Sequence, residues 1–211
     1  LHCISTLKPP SLMTDPIQTA LRHWGARSVP FTDTPGEKPF VSPAWDQATQ
    51  LLNQTAALRS VMLLVGDNGV GKSTLLSHWL AGLETKAYQP VVIPHATLSG
   101  SGLLSVLLHK LGKTPSPFRS RNLPRLEEVF RELGRITPVI ALDEAQLYPL
   151  GALEEIRLLL GLNLARQPMF ALVLAGDLYL HDTLRLQQHK PLYSRIGAHC
   201  QLPPLDRDQI E

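Results

Sequence analysis

The sequence has little cysteine, few aromatic residues, a small share of charges and no long apolar run. Of its 211 residues two are cysteines, Cys3 and Cys200, 6% are aromatic and 18% are charged. Two cysteines this far apart exclude a disulfide framework and a cysteine-based zinc site, and they favour a reducing compartment. No apolar stretch approaches the ~20 residues of a membrane-spanning helix, and the opening LHCISTLKPPSL lacks the pattern of a signal peptide. We therefore expect a cytoplasmic protein with no membrane segment in this sequence.

An excess of charge of one sign is also missing. Lys and Arg number 20 and Asp and Glu number 18, which leaves a net charge of +2. This balance excludes a polybasic tail, although a local basic patch can still contact nucleic acid. Apolar residues make up 44% of the chain, which is enough for a packed core.

Proline, by contrast, is abundant at the beginning of the chain. Seven of the 18 prolines lie within residues 1–43, at positions 9, 10, 16, 30, 35, 39 and 43. Because proline at this density interrupts helices and central strands, the pattern predicts an irregular arm over 1–43 with one short helix at 17–24. The sequence begins with Leu1 and ends in LPPLDRDQIE, which is typical of the start of another helix, so we expect a piece of a longer protein.

Beyond the arm, short apolar runs alternate with helical patterns. The predicted strands are 61–65, 91–93, 138–142, 170–175 and 198–202. Helices are predicted at 44–58, 71–83, 102–111, 123–133, 153–164 and, interrupted by a proline, 179–196. The segment KTPSPFRSRN is predicted to be a polar loop. This order predicts an α/β fold with a parallel sheet of about five strands flanked by helices, and ligands bound at the carboxyl ends of the strands.

The strongest motif is GDNGVGKST at residues 66–74, which matches the phosphate-binding pattern G-x-x-x-x-G-K-[ST]. Its glycines let backbone N–H groups approach phosphate oxygens, and the helix that follows adds its positive end. Lys72 is expected to reach the β- and γ-phosphates of ATP, and the Ser73 hydroxyl to bind Mg²⁺. The motif indicates a P-loop NTPase. The predicted nucleotide-binding residues are Gly66, Asp67, Asn68, Gly69, Val70, Gly71, Lys72, Ser73 and Thr74.

A second motif is VIALDEAQ at residues 139–146, where an apolar strand ends in two carboxylates. Asp143 is predicted to hold Mg²⁺ through its water shell, and Glu144 to deprotonate the water that attacks the γ-phosphate. Acidic residues often follow strands for purely structural reasons, so this motif is weak alone and gains its meaning from the phosphate-binding loop. The carboxylate directly after the aspartate favours hydrolysis of the bound nucleotide.

Two further residues are weaker catalytic candidates. Asp177 follows the fourth predicted strand and could contact the γ-phosphate or the attacking water; the alternative is a turn residue. Arg195 precedes the last predicted strand and could act on the γ-phosphate of a neighbouring subunit, which requires an oligomer. The alternative is an ordinary surface arginine.

A basic segment begins at the end of the helix predicted at 102–111. Lys110, Lys113, Arg119, Arg121 and Arg125 occur there with no acidic residue between the first and the last. Such a patch can neutralise DNA phosphates without distinguishing base sequence. A solvated loop without a partner is the alternative.

Together these residues resemble a known family. WGARSVPFTDTPGEKPFVSPAWDQATQLL, LLVGDNGVGKSTLL, VIALDEAQLY, LVLAGDLYL and PLYSRIGAHCQLPPL resemble segments of the AAA+ ATPases of the ExeA/TnsC type, which include bacterial transposition regulators and general secretion pathway ATPases. The resemblance runs from about residue 24 to residue 205. Family members usually carry Gln or Asn at the position of Asp177.

The resemblance implies an AAA+ core over residues 44–205 with strand order 5-1-4-3-2, followed at 206–211 by the start of a truncated helical lid. It implies Phe40 and Val41 near adenine and Arg195 as the arginine that acts in trans.

The function expected from this resemblance is regulation of DNA transposition. ATP would assemble copies of the chain into a ring or filament on double-stranded DNA, and this assembly would recruit or activate a transposase. The main alternative is a secretion-type ATPase at the cell envelope. A small-molecule phosphotransferase and a nucleotide switch without useful hydrolysis are further alternatives.

Overall fold

The computed structural model describes residues 15–25, 39–93, 99–162 and 168–207. The chain divides into two compact units, Leu1–Pro39 and Phe40–Glu211, and each is considered separately.

The described part of the first unit is a single helix, α1 (Pro16–Trp24). The Asp15 side chain caps its start by accepting a hydrogen bond from the N–H of Ile17 at 3.0 Å. Pro16 occupies the first turn, where its missing N–H costs nothing, and Gly25 ends the helix with a left-handed φ of 61°. The helix predicted at 17–24 is therefore confirmed to within one residue.

The second unit is built on a parallel sheet of five strands in the order β2-β3-β4-β1-β5. Read from the other edge, this is the order 5-1-4-3-2, so the predicted fold class and strand order are confirmed. The strands are β1 (Val61–Val65), β2 (Tyr88–Ile93), β3 (Thr137–Leu142), β4 (Ala171–Gly176) and β5 (Ile196–Gln201).

Helices cover both faces of the sheet. Met62 and Leu64 of β1 pack with α2 and α3, whereas Leu63 packs with the helices on the opposite face. This alternation buries the central strands on both sides, which is why they appear in the sequence as continuous apolar runs. None of the helices in the described ranges is long and apolar enough to cross a membrane. The helices are α2 (Pro43–Leu58), α3 (Lys72–Ala81), α4 (Gly100–Lys110), α5 (Arg119–Glu132), α6 (Leu150–Leu160), α7 (Leu178–Arg185) and α8 (Lys190–Tyr193).

Several elements begin earlier than the sequence predicts, by three residues for β2 and α6 and by four for α5. The strand β2 begins at Tyr88 and includes Pro90, which is tolerated because β2 lies at the edge of the sheet and pairs only with β3. The helix α5 begins at Arg119 and includes Pro124, so the prediction of a loop across KTPSPFRSRN is wrong for its last four residues.

The first turn of α5 is held by a buried asparagine. The side chain of Asn122 accepts from the N–H of Ser116 at 2.8 Å and donates to the Ser116 carbonyl at 2.9 Å. Because these bonds join the helix to the segment that precedes it, the helix can begin before its proline. Arg119 and Arg121 consequently occupy a helical turn.

Candidate functional site

The loop between β1 and α3 has the conformation that its glycines allow. Gly69 and Gly71 have φ angles of 84° and 94°, in the left-handed region that side chains disfavour. At Gly66 the constraint is space, since an added Cβ would lie 2.6 Å from the carbonyl oxygen of Leu202. Two of these glycines therefore serve the turn, and the third allows β5 to approach the loop.

Lys72 is the first residue of α3 and is only 5% exposed. Its Nζ donates hydrogen bonds to the carbonyl of Gly66 at 3.0 Å and to that of Asp67 at 2.9 Å. Ser73 and Thr74 are exposed in the same turn. The loop thus encloses the lysine and presents two hydroxyls at the N-terminus of a helix, a geometry suited to phosphate.

The start of α2 lies against this loop. Trp45 approaches within 3.9 Å of the position that a Cβ on Gly71 would take, and the Ser42 side chain caps α2 by accepting from the N–H of Trp45 at 3.2 Å. Phe40 and Val41 directly precede this cap and are 55% and 51% exposed. Two exposed apolar side chains therefore adjoin the end of α2 that contacts the loop.

Asp143 and Glu144 follow β3, two strands away from β1, and both are partly buried. Parallel strands end at one edge of a sheet, so these carboxylates and the phosphate-binding loop share that edge. Asp143 Oδ1 accepts from the N–H of Glu144 at 3.0 Å. Glu144 has a φ of 49°, and Arg59 is the other described non-glycine residue with a positive φ. Arg59 owes this conformation to its place at the C-terminal cap of α2, whereas Glu144 ends no helix, and backbone strain of this kind clusters at functional sites.

Gln146 has no role predicted from the sequence, although the structure places it between two of the predicted residues. Its Nε2 donates to Glu144 Oε2 at 2.7 Å, and its Oε1 accepts from the N–H of Asp177 at 3.2 Å. It lies in a short 3-10 turn, Ala145–Leu147, that the sequence analysis missed. The only signal in the sequence was its place two residues after the acidic pair.

The side chain of Asp177 has a structural role in α7. Its Oδ1 accepts from the N–H of Leu180 at 3.0 Å and so caps the start of the helix. The backbone N–H of the same residue binds Gln146, as described above. Asp177 therefore lies in the network of the acidic pair, and its predicted contact with phosphate or water stays a prediction.

Arg195 lies between α8 and β5 and is partly buried. Its Nη1 donates to the carbonyl of Leu160 at 2.7 Å, at the C-terminal end of α6, where a positive charge is favoured. Within one chain this arginine thus stabilises a helix terminus. Its action on a neighbouring subunit stays a prediction.

Tyr148 joins the ends of β2 and β3. The buried hydroxyl donates to the carbonyl of Ile93 at 3.1 Å. Burial, and next the negative charge of Asp143, raise the pKa of Tyr148 well above its usual range. The hydroxyl therefore stays protonated and keeps this hydrogen bond.

The basic residues are not equally available to a ligand. Arg119 forms an ion pair with Glu155, whose side chain is buried. Arg121 lies over the ring of Phe118 at 5.1 Å, and together with Arg125 it lines an open groove of about 690 Å³. The same groove contains Lys113, Glu128 and Glu132, so folding brings carboxylates to a patch that the sequence shows as purely basic.

The residues present fit a magnesium ion held mainly by a nucleotide. Among the residues that the structure describes, no three His, Cys, Asp or Glu side chains cluster to hold a metal. Mg²⁺ characteristically takes one or two protein oxygens together with waters and phosphates. The hydroxyl of Ser73 and the carboxylate of Asp143 are donors of this kind.

Comparison with curated proteins gives a relative that is similar in sequence, and comparison with solved structures gives neighbours that are similar in fold. The chain is 27% identical over 199 residues to the general secretion pathway protein A of Aeromonas hydrophila, and the match covers 90% of this chain and 36% of that protein. The chain thus spans about a third of the length of this relative.

Among solved structures, the Aeropyrum pernix ORC2 protein in its ADP form has a TM-score of 0.63 at 17% identity, covering 85% of this chain and 52% of that one. The Aeropyrum pernix ORC1 protein in complex with DNA has a TM-score of 0.63 at 21% identity, covering 83% and 48%. At such identities the likeness shows the fold.

The family is shown by a separate finding. The family model described as an AAA domain matches residues 56–184, more than half of the chain. That range includes the loop with Lys72 and the acidic pair, and it ends inside α7. With its buried P-loop lysine, its acidic pair on the same sheet edge and its five-stranded sheet, this chain belongs to the AAA domain family of P-loop NTPases.

Proposed function

We propose that this chain binds and hydrolyses ATP, and that its ATP-dependent assembly on double-stranded DNA regulates transposition by recruiting or activating a transposase. The observation that carries the ATPase part is the shared sheet edge of Lys72, Asp143 and Glu144. The DNA part is supported by the exposed arginines of α5 and, more distantly, by a structural neighbour solved in complex with DNA.

Nucleotide binding keeps the backbone of the loop and changes the partners of Lys72. The N–H groups of residues 66–74 bind the phosphates, and Lys72 exchanges its two carbonyl partners for β- and γ-phosphate oxygens. Phe40 and Val41 cover the adenine, since they adjoin the end of α2 that contacts the loop.

Hydrolysis is carried by the acidic pair. A water oxygen attacks the γ-phosphorus, its proton passes to the carboxylate of Glu144, and the bond to the β–γ bridging oxygen breaks to give ADP and phosphate. Ser73 and Asp143 would hold Mg²⁺, and the ion would supply positive charge to the phosphate oxygens. Arg195 of a neighbouring copy, released from its carbonyl partner, supplies a further positive charge in a ring or filament.

Contact with DNA is assigned to Arg121 and Arg125. Both line the open groove of α5, whereas Arg119 is paired with a buried carboxylate. Because these arginines bind the phosphate backbone, binding is expected to weaken steeply with salt and to vary little with base sequence.

The experiment that tests the whole proposal measures ATP turnover with and without double-stranded DNA, at low and moderate salt, beside Glu144→Gln. We expect DNA to change the rate or trigger assembly, and the variant to bind ATP without turning it over. If DNA changes neither the rate of ATP turnover nor the assembly of the chain, the proposed role in transposition is wrong and the proposed ATPase activity stands.

The DNA surface has its own matched comparison. Arg121→Ala with Arg125→Ala should reduce DNA affinity by about tenfold or more at low salt while ATP binding is unchanged. Lys86→Ala with Arg135→Ala removes the same charge from exposed positions. Lys86 lies just before β2 and Arg135 just before β3, so both lie beside the amino ends of the strands and away from the nucleotide site. Equal losses in both double variants would mean that net charge, and not this groove, determines DNA binding.

A second candidate is an ATPase of a secretion pathway, and the likeness to general secretion pathway protein A favours it. Both candidate functions use the same nucleotide site, so the response of the chain to DNA distinguishes them. A chain that turns over ATP, fails to assemble on DNA and binds envelope proteins or lipids in the same buffer supports the secretion candidate.

A further inference from the structure

The geometry points to Gln146 as a positioning residue that fixes the carboxylate of Glu144 for water activation. This inference rests on the proposed ATPase function and deepens it. The side chain of Gln146 connects two sheet strands: its amide nitrogen holds Glu144, beyond the end of β3, and its amide oxygen holds the backbone of Asp177, beyond the end of β4.

The backbone at Glu144 explains why such a connection is needed. Its left-handed φ of 49° turns the chain sharply after Asp143, directly into the 3-10 turn that contains Gln146. A long carboxylate side chain leaving such a turn has several rotamers, and only some of them reach the phosphate. The hydrogen bond of 2.7 Å from Gln146 to Oε2 selects one orientation.

The amide oxygen of Gln146 packs closely against β4. A Cβ added to Gly176 would lie 2.5 Å from Gln146 Oε1 and 2.7 Å from Leu180 Cδ2. The last residue of β4 therefore has no side chain at the point where the amide needs space. Because the amide is anchored on the central part of the sheet, its nitrogen is held fixed with respect to Glu144.

The chemical consequence concerns the two oxygens of Glu144. Oε2 accepts the hydrogen bond from the amide. This bond fixes the orientation of the carboxylate and leaves lone pairs on both oxygens to accept the proton of the attacking water. Without the amide the carboxylate samples other rotamers and the proton transfer loses its alignment. General-base steps are sensitive to such displacement, because an error of about 1 Å can lower a rate by about 100-fold.

The first test compares two substitutions of Gln146 in the full chain. Gln146→Met keeps the length of the side chain and removes both hydrogen bonds, whereas Gln146→Glu keeps an acceptor for Asp177 and replaces the donor to Glu144 by a repelling carboxylate. We expect both variants to lower kcat about 10- to 100-fold while the Kd of a fluorescent ATP analogue changes less than about twofold. Gln54→Met, on the exposed face of α2, is the matched control and should leave kcat unchanged.

A second test uses Gly176→Ala. The added methyl group displaces Gln146, so this variant should lower kcat although Gly176 has no chemical group to contribute. Combined with Gln146→Met, it should add little to the loss, since both changes remove the same interaction. Full additivity of the two losses would mean that Gly176 acts independently of Gln146.

The outcomes separate this inference from the function on which it rests. No turnover by the unsubstituted chain overturns the proposed ATPase function and this inference together. Turnover that Glu144→Gln abolishes but Gln146→Met leaves unchanged overturns the role of Gln146 alone. Normal kcat in Gln146→Glu, with loss only in Gln146→Met, would reduce Gln146 to a structural tie between the 3-10 turn and β4.

Discussion

The phosphate-binding loop and the acidic edge of the sheet are built in different ways. The loop is a single run of nine residues whose chemistry lies in glycines, backbone N–H groups and Lys72. The acidic edge combines the ends of β2, β3 and β4 through Tyr148, Glu144, Gln146 and the backbone of Asp177. A site made from contiguous backbone depends on local sequence, whereas a site made from several strands depends on the sheet that places them.

The largest effect on turnover is expected from substitution of Glu144, at the acidic edge. Glu144→Gln removes the proposed general base and keeps the size of the side chain, so turnover should fall by about 10²- to 10⁴-fold while ATP remains bound. Steady-state hydrolysis together with equilibrium nucleotide binding measures both quantities. A loss of binding equal to the loss of turnover would mean that the carboxylate acts on ground-state affinity.

The next effect tests whether the conformation of the phosphate-binding loop depends only on its own nine residues or also on the contact of Gly66 with Leu202. Gly66→Ala places a methyl group 2.6 Å from the Leu202 carbonyl, so β5 or the loop must move. We expect about 1–3 kcal/mol of lost stability and weaker ATP binding. Gly69→Ala, where no atom lies within 4 Å of the added methyl but φ is 84°, separates backbone strain from crowding. Denaturant unfolding of both variants, with matched m-values, decides between these causes.

A third effect concerns Arg119 of α5, which the sequence predicts as a DNA contact and which the structure pairs with Glu155. Arg119→Ala leaves the buried carboxylate of Glu155 without its cation. Because the Arg119 side chain is itself more than half exposed, we expect a moderate loss of about 1–2 kcal/mol. Arg119→Ala combined with Glu155→Gln should recover part of it. Thermal unfolding of the single and double variants tests this, and no recovery in the double variant would contradict the ion pair as the cause.

The smallest effect distinguishes the two interpretations of Asp177. Asp177→Ala removes the cap of α7 and should lower stability by about 1 kcal/mol. Asp177→Asn keeps an effective cap, so its stability should match the wild type. If turnover is also normal in Asp177→Asn, capping accounts for the side chain; reduced turnover at wild-type stability would favour a contact with phosphate or water.

The sequence predicted most of the fold because the relevant signals are local. Apolar runs located β1 at its observed bounds, and the start of α2 followed from Pro43 in the first turn. The largest errors are starts placed too late, at β2, α5 and α6. Pro90 is tolerated at a sheet edge and Pro124 in a helix held by Asn122, and both circumstances are tertiary.

The sequence by itself determined the P-loop, its lysine, the acidic pair and the alternation of strands and helices, since each depends on residues that are neighbours in the chain. Tertiary structure alone decided that Gln146 bridges Glu144 and Asp177, that Arg119 pairs with Glu155 and that Arg195 binds the end of α6. These contacts join residues that no local pattern relates. They form because packing the helices on a parallel sheet buries one or more polar groups of each contact, fully or in part, and a buried polar group is stable only with a hydrogen-bonding partner.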